Sequence, residues 1–161
     1  MNIPFSPPDI TEEEIEAVAE VMRSGWITTG PKTKELERKM AEFTHTNRGV
    51  CLNSATSCME MALRLFEIGP GDEVIVPAYT YTASASVVCH VGATLRLVDV
   101  EKGTFHIDYA AVESMINENT KAIIPVDLGG VMVDYDRIRA IVESKKGLFR
   151  PSSKMQEALG H

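Results

Sequence analysis

The segment Asn53-Ser54-Ala55-Thr56-Ser57 joins a short apolar run, Gly49-Val50-Cys51-Leu52, to a stretch of helical periodicity carrying Met59, Ala62, Leu63 and Phe66. Small residues at a strand-to-helix junction let backbone amides approach an anion, and the helix dipole favours negative charge there. A phosphate is the natural guest; the same residues also make a good N-cap, so simple capping stands as the alternative. No GK[ST] follows, which leaves nucleoside triphosphate hydrolysis without support. The next candidate is Tyr79-Thr80-Tyr81, just after Pro77. An aromatic there can stack on a planar ring, or it is an ordinary half-buried tyrosine at a strand end. Trp26, the single tryptophan, lies in the loop Gly25-Trp26-Ile27-Thr28-Thr29-Gly30-Pro31, where it either contacts a ligand or partner or plugs the core. Asp99 and Asp127 follow apolar runs and suit either a functional role or a structural turn. His45, His90, His106 and His161 show no ligand spacing, and no HExxH, CxxC, EF-hand or GxSxG pattern occurs, so neither a metal site nor a Ser-His-Asp triad is expected.

The elements that must hold these residues alternate between helix and strand. Thr11 with Glu14 forms a capping-box pattern ahead of Ile15, Val18, Ala19 and Met22, predicting a helix over about 11–23 that stops at Ser24-Gly25. A second amphipathic helix is expected to turn Leu36, Met40 and Phe43 to one face. Gly49–Leu52, Glu73–Pro77, Thr94–Val100 and Lys121–Val126 read as strands. Helices are predicted from Ala83 to Val91, after Asp108 with Val112, Met115 and Ile116, and from Asp134 to Ser144 with Ile138, Ile141 and Val142 inward. Short apolar strands separated by helices favour a mainly parallel sheet covered on both faces, an α/β architecture whose ligands sit at the carboxyl ends of the strands. That rule singles out the loops 53–57, 77–84 and 127–130.

Composition narrows the setting. The 161 residues are 44% hydrophobic and 24% charged, enough for a core. The net charge of −7 argues against a nucleic-acid binder. No apolar run approaches the roughly 20 residues that cross a bilayer, and Met1-Asn2-Ile3-Pro4 has no secretory pattern, so neither membrane insertion nor secretion is expected. Cys51, Cys58 and Cys89 form no CxxC pair and suit buried thiols in a reducing cytoplasm. Charge is uneven: residues 145–161 carry +3, leaving −10 on residues 1–144.

Three stretches in order then carry a resemblance: Ser24-Gly25-Trp26-Ile27-Thr28-Thr29-Gly30-Pro31-Lys32, Asn53-Ser54-Ala55-Thr56-Ser57, and Gly69-Pro70-Gly71-Asp72-Glu73-Val74-Ile75-Val76-Pro77. With Gly92-Ala93-Thr94, Val98-Asp99-Val100, Ile107-Asp108 and Thr120-Lys121-Ala122-Ile123-Ile124-Pro125-Val126, the chain closely resembles the DegT/StrS-type pyridoxal 5′-phosphate (PLP) sugar aminotransferases from residue 3 to about 143. The resemblance implies part of a fold-type I PLP-dependent transferase large domain, divided into amino-terminal helices and loop (1–48), an α/β core (49–144) and a basic tail (145–161). It implies that Ala55, Thr56 and Ser57 hold the cofactor phosphate and that Tyr81 stacks on the ring. Trp26, Thr28 and Gly30 match a loop near the substrate and the dimer contact. A homodimer, a keto-sugar nucleotide substrate in nucleotide-sugar biosynthesis and glutamate as amino donor follow from the same resemblance.

The sequence also departs from that family. Relatives run to roughly twice this length or more, and their imine-forming lysine and the aspartate facing the ring nitrogen match positions beyond His161; none of Lys121, Lys145, Lys146 or Lys154 occupies the lysine's place. Asp127-Leu128-Gly129-Gly130 stands where relatives often have His-Leu-Tyr-Gly. A lysine amine and a carboxylate are what make PLP an electron sink, so the chain alone is expected not to turn over, and an incomplete sheet is expected to associate or aggregate. Two alternatives stand beside this reading: a dehydratase of the same fold using pyridoxamine 5′-phosphate (PMP), and a non-catalytic fragment or regulatory protein that binds a partner through its open edge.

Overall fold

The computed structural model describes residues 3, 4 and 6–159; His161, one of the scattered histidines, lies outside them. The chain divides into two compact units, one reaching Leu52 and the other starting at Asn53.

The first unit is built from two helices, α1 (Glu12–Ser24) and α2 (Pro31–Phe43). Thr11 caps α1 as its sequence predicts: its hydroxyl accepts from the Glu13 amide at 3.2 Å, and the Glu14 carboxylate takes the Thr11 amide at 2.6 Å. Gly25 ends α1 in the left-handed region at φ 72°, the conformation that favours glycine there. The expected apolar face of α2 is not inward: Leu36, Met40 and Phe43 are exposed, and Ala41 is the residue it buries. Gly49–Leu52 is likewise not a strand. A strand exists only through a ladder, and this segment pairs with none of the described strands. It is held instead by the Cys51 amide, which donates to Glu37 Oε1 at 3.1 Å. That bond, after the Lys34 ammonium, holds the Glu37 carboxyl below its ordinary pKa.

The second unit is a parallel α/β layer. After α3 (Ala55–Leu65) come β1 (Glu73–Pro77), α4 (Thr82–His90), β2 (Thr94–Val98), α5 (Tyr109–Met115), β3 (Thr120–Ile123), α6 (Tyr135–Lys145) and α7 (Lys154–Leu159). The strand order is β2-β1-β3, both pairs parallel. The β1–β2 register runs unbroken from Glu73↔Thr94 to Pro77↔Val98, whereas β3 slips between Glu73↔Thr120 and Val74↔Ala122, so Lys121 is the extra residue of a bulge.

Alternation along β1 builds two cores. Val74 and Val76 pack with Leu63 of α3 and with Val87 and Val88 of α4. Ile75, on the opposite face, packs with Val112 of α5, Ile138 and Ile141 of α6, and Tyr109. Helices therefore cover both faces, as the apolar strands predict. Val142, expected inward, is 39% exposed. β2 ends at Val98 rather than Val100 because the chain turns there into an antiparallel bridge, Val100↔Ile107. β3 ends at Ile123, although the Ile124 amide still reaches the Ile75 carbonyl at 2.9 Å.

Ile75 is wholly buried between two layers, so truncating it empties the centre of the α5–α6 core. Ile75→Ala is expected to cost about 2–5 kcal/mol of unfolding free energy, read by urea denaturation; a loss below about 1 kcal/mol would contradict the two-sided burial of β1.

Candidate functional site

The topology brings two helix N-termini to one end of the sheet. α4 crosses between parallel strands β1 and β2, so it starts at their carboxyl ends. α3 packs beside α4, and its last turn leads through residues 66–72 into the amino end of β1. Its 11 residues, at about 1.5 Å each, carry it back across the sheet, and α3 also begins at the carboxyl ends. Ala55, Thr56 and Ser57 and, separately, Tyr81 thus occupy the end where α/β sheets take ligands.

The first turn of α3 has a defined hydrogen-bonding state. Ser54 caps it: its hydroxyl accepts from the Ser57 amide at 3.1 Å and lies 3.0 Å from the Ser57 hydroxyl. The capping alternative is therefore present in the molecule, and it satisfies one amide. The Ala55 and Thr56 amides, in the first turn, have no intrahelical acceptor, and their dipole end is positive. Ala55 is exposed, and Thr56 and Ser57 are half-buried. Such a donor set suits a phosphate: small side chains, backbone N–H groups and nearby hydroxyls.

Tyr81 is the N-cap residue of α4 and is 81% exposed, with no side-chain capping bond. Its neighbour Tyr79 is engaged, stacked on Phe105 with centroids 5.1 Å apart and planes 20° from parallel. Of the two tyrosines, Tyr81 has the open face. The Tyr79–Phe105 pair is not legible in the sequence because 26 residues separate its members, and the chain between them folds back through the Val100↔Ile107 bridge. Between them Thr80 and Ser84 share a 2.9 Å hydroxyl contact that ties the loop to α4.

The strand-end carboxylates divide differently. Asp99 Oδ1 accepts the adjacent Val100 amide at 2.8 Å. Asp127 is a brace: Oδ1 accepts the Val133 amide at 2.9 Å and Oδ2 accepts the Tyr135 hydroxyl at 2.9 Å. Burial, the bond to Asp127 and that carboxylate's charge push the Tyr135 phenol above its ordinary pKa. Gly129 and Gly130, at φ 63° and 79°, carry the tight turn inside this braced loop.

The remaining predicted residues lie in the first unit and are described on their own. Trp26 folds over its loop: its indole Nε1 donates to the Thr29 carbonyl at 3.1 Å, while the residue stays 60% exposed. It does not plug the core. Gly30 is the N-cap of α2, followed by Pro31 at the first helical position. A Cβ on Gly30 would lie 2.3 Å from the indole, which is why this close approach needs glycine. Thr28 is exposed in the same loop. Among the described residues no cluster of His, Cys, Asp or Glu could hold a metal ion, and no helix is long and apolar enough to cross a membrane.

Comparison with known proteins gives the arrangement a context. Residues 8–149 match the DegT/DnrJ/EryC1/StrS aminotransferase family. A Streptococcus pneumoniae protein assigned as a sugar aminotransferase, solved in apo, PMP and PLP forms, is 59% identical, with a TM-score of 0.95 over 99% of this chain and 40% of its own in the apo form. S. venezuelae DesV is 37% identical with a TM-score of 0.79 over 85% of this chain and 37% of its own. An aminotransferase from Psychrobacter cryohalolentis is 34% identical with a TM-score of 0.81 over 88% and 36%. The chain therefore spans about 40% of the length of the pneumococcal relative. The fold is that of the fold-type I PLP aminotransferases, in part.

Two outcomes follow from this geometry. The folded chain holds the Tyr135 proton more tightly than the unfolded chain, so the associated stability is complete below the ordinary phenol value of 10.0 and is lost as pH rises through the raised value. Melting scans across that alkaline range should show a decline that Tyr135→Phe flattens; an equal decline in both would refute the linkage. Gly30→Ala should displace the indole and shift the emission of the single tryptophan, and an unchanged spectrum would contradict the lack of room for a Cβ beside the ring.

Proposed function

The chain belongs to the DegT/DnrJ/EryC1/StrS aminotransferase family, and from that premise we propose that it carries the phosphate and ring side of the cofactor pocket of a PLP-dependent aminotransferase. The substrate in this reading is a keto-sugar nucleotide, and glutamate donates the amino group. The observation that carries it is the first turn of α3, where Ala55 and Thr56 present amides without intrahelical acceptors beside the Ser54–Ser57 hydroxyl pair. PLP supplies a carrier for the amino group and a ring that disperses the negative charge developing beside it.

The chain's own residues bind and orient. Ala55, Thr56 and Ser57 hold the phosphate by backbone N–H and hydroxyl donors, whose charge-assisted bonds are the strong kind. Tyr81 gives its open face to the ring and keeps water from that side. Trp26, Thr28 and Gly30 are assigned to the substrate side. The lysine that carries the cofactor and the carboxylate that keeps the ring nitrogen protonated are assigned to polypeptide outside the shared 40%, so these 161 residues alone bind without turning over.

A homodimer of the whole protein in the cytoplasm completes the proposal. Its support is the surface of the first unit: Ile15, Val18 and Met22 line one face of α1 at 52%, 60% and 68% exposure, and Phe43 of α2 is 81% exposed. Contiguous apolar faces of this kind mark interaction sites.

PMP is the informative probe, because it has no aldehyde to react with surface lysines. Titration of the chain should show PMP binding at least about 10-fold tighter than phosphate-free pyridoxamine. Thr56→Glu, which suits a helix start but repels phosphate, should weaken PMP by a similar factor. Tyr81→Ala should weaken both ligands together. Absence of PMP binding, equal affinity for the two ligands, or indifference to Thr56→Glu would overturn the assignment.

A further inference from the structure

At the opposite end of the sheet the chain carries a second built feature that the aminotransferase reading does not use. Asp72, the residue before β1, is 2% exposed, and its Oδ2 sits among neutral donors: the Gly69 amide at 3.1 Å, the Ser152 hydroxyl at 3.0 Å and the Gln156 side-chain amide at 3.1 Å. Among the described residues no cation forms a salt bridge with it, although its charge acts on the Lys121 ammonium from a longer distance. Gln156, on α7, is 4% exposed and fully used. Its Nε2 also donates to the Glu67 carbonyl at 3.3 Å, and its Oε1 accepts the Ser152 amide at 3.0 Å. Glu67 holds a left-handed φ of 50°, a conformation uncommon outside glycine, at the point where α7 clasps it. Beneath α7 lies a cavity of about 200 Å³ lined by Phe66, Ile68, Lys121, Phe149, Gln156 and Leu159.

The family match stops at residue 149, yet the pneumococcal structure follows 99% of the chain. The segment carrying Ser152 and Gln156 is thus shared with that relative and lies outside what the family match describes. We propose that residues 150–159 are a strap, latched on the Asp72 carboxylate by Ser152 and Gln156, that opens and closes over the Phe66–Ile68 cavity independently of the sheet.

The physics of the latch is specific. Most side chains of α7 are exposed and Gln156 is the one it buries, so its docking depends on a few polar bonds rather than on a wide apolar face. A buried carboxylate loses hydration, and the two strap donors replace part of it. Opening returns water to Asp72 and exposes Ile68, while β1, held by both cores, stays in place. Local opening of this kind costs less than global unfolding.

Native-state hydrogen exchange of the 161-residue chain separates these motions. The amides of Met155, Gln156 and Glu157 should exchange at least about 10-fold faster in Gln156→Ala and in Ser152→Ala than in the unsubstituted chain, while those of Val74, Ile75 and Val76 keep their rates. Both substitutions lie in the strap itself, so they test the latch without touching the sheet. A hydrophobic dye should bind more to the variants, reporting the opened cavity. Unchanged strap exchange, or an equal acceleration in β1, would overturn the proposal.

Discussion

A single five-residue strand has to be buried on both faces and paired on both edges, and most of the molecule's second unit follows from that. β1 presents Val74 and Val76 to one layer and Ile75 to the other, with all three wholly buried. Because the side-chain period is two, moving β1 by one residue would exchange the contents of the two cores. Its parallel partners then require crossover helices, and these place α4 on the face of Val74 and Val76 and α5 on the face of Ile75. Glu73 fixes the entry to the strand, where its carboxylate takes both Arg96 at 3.1 and 3.2 Å and the Asn117 side-chain amide at 2.8 Å.

This constraint gives the two ends of the sheet different chemistry. At the carboxyl end, helices begin and leave N–H groups pointing outward, so an anion is favoured. At the amino end, helices finish and turns such as Gly69–Asp72 re-enter the sheet; here the exposed donors are few and a carboxylate, Asp72, is itself the group needing partners. Open helix N-termini at one end and structural fastening at the other are consequences of the direction of the strands.

The parts legible in the sequence are those decided locally. Thr11, Ser54, Asp108 and Asp134 each cap a helix with a side-chain oxygen, because that choice depends on three or four neighbouring residues. β1 was readable since a continuous apolar run bounded by Gly71 and Pro77 has few other uses. Ala55–Ser57 and Tyr81 were recoverable as candidates from their position after apolar runs, whereas the engagement of Tyr79 by Phe105 depends on a contact across the loop after β2. The strand expected at Gly49–Leu52 does not form and the apolar face expected on α2 is left uncovered for a common reason. Apolar periodicity says that a face is to be buried, not which polypeptide buries it, and Val50, Leu36, Met40 and Phe43 remain exposed in this chain.

Asp127 and the first turn of α3 show how geometry separates two residues that composition treats alike. Both stand at ends of elements facing the ligand side, and both offer polar groups of the right kind. Yet the two Asp127 oxygens are committed to Val133 and Tyr135, six and eight residues on, so freeing that carboxylate for a substrate would unfasten its own loop. The Ala55 and Thr56 amides have no such obligation, because a helix start leaves its first donors without internal acceptors by construction. A polar group already spent on the fold is costly to recruit, and one the fold cannot satisfy is available at little cost. On that ground the α3 turn is the better placed of the two for the proposed phosphate contact, and Asp127 serves to hold its own loop.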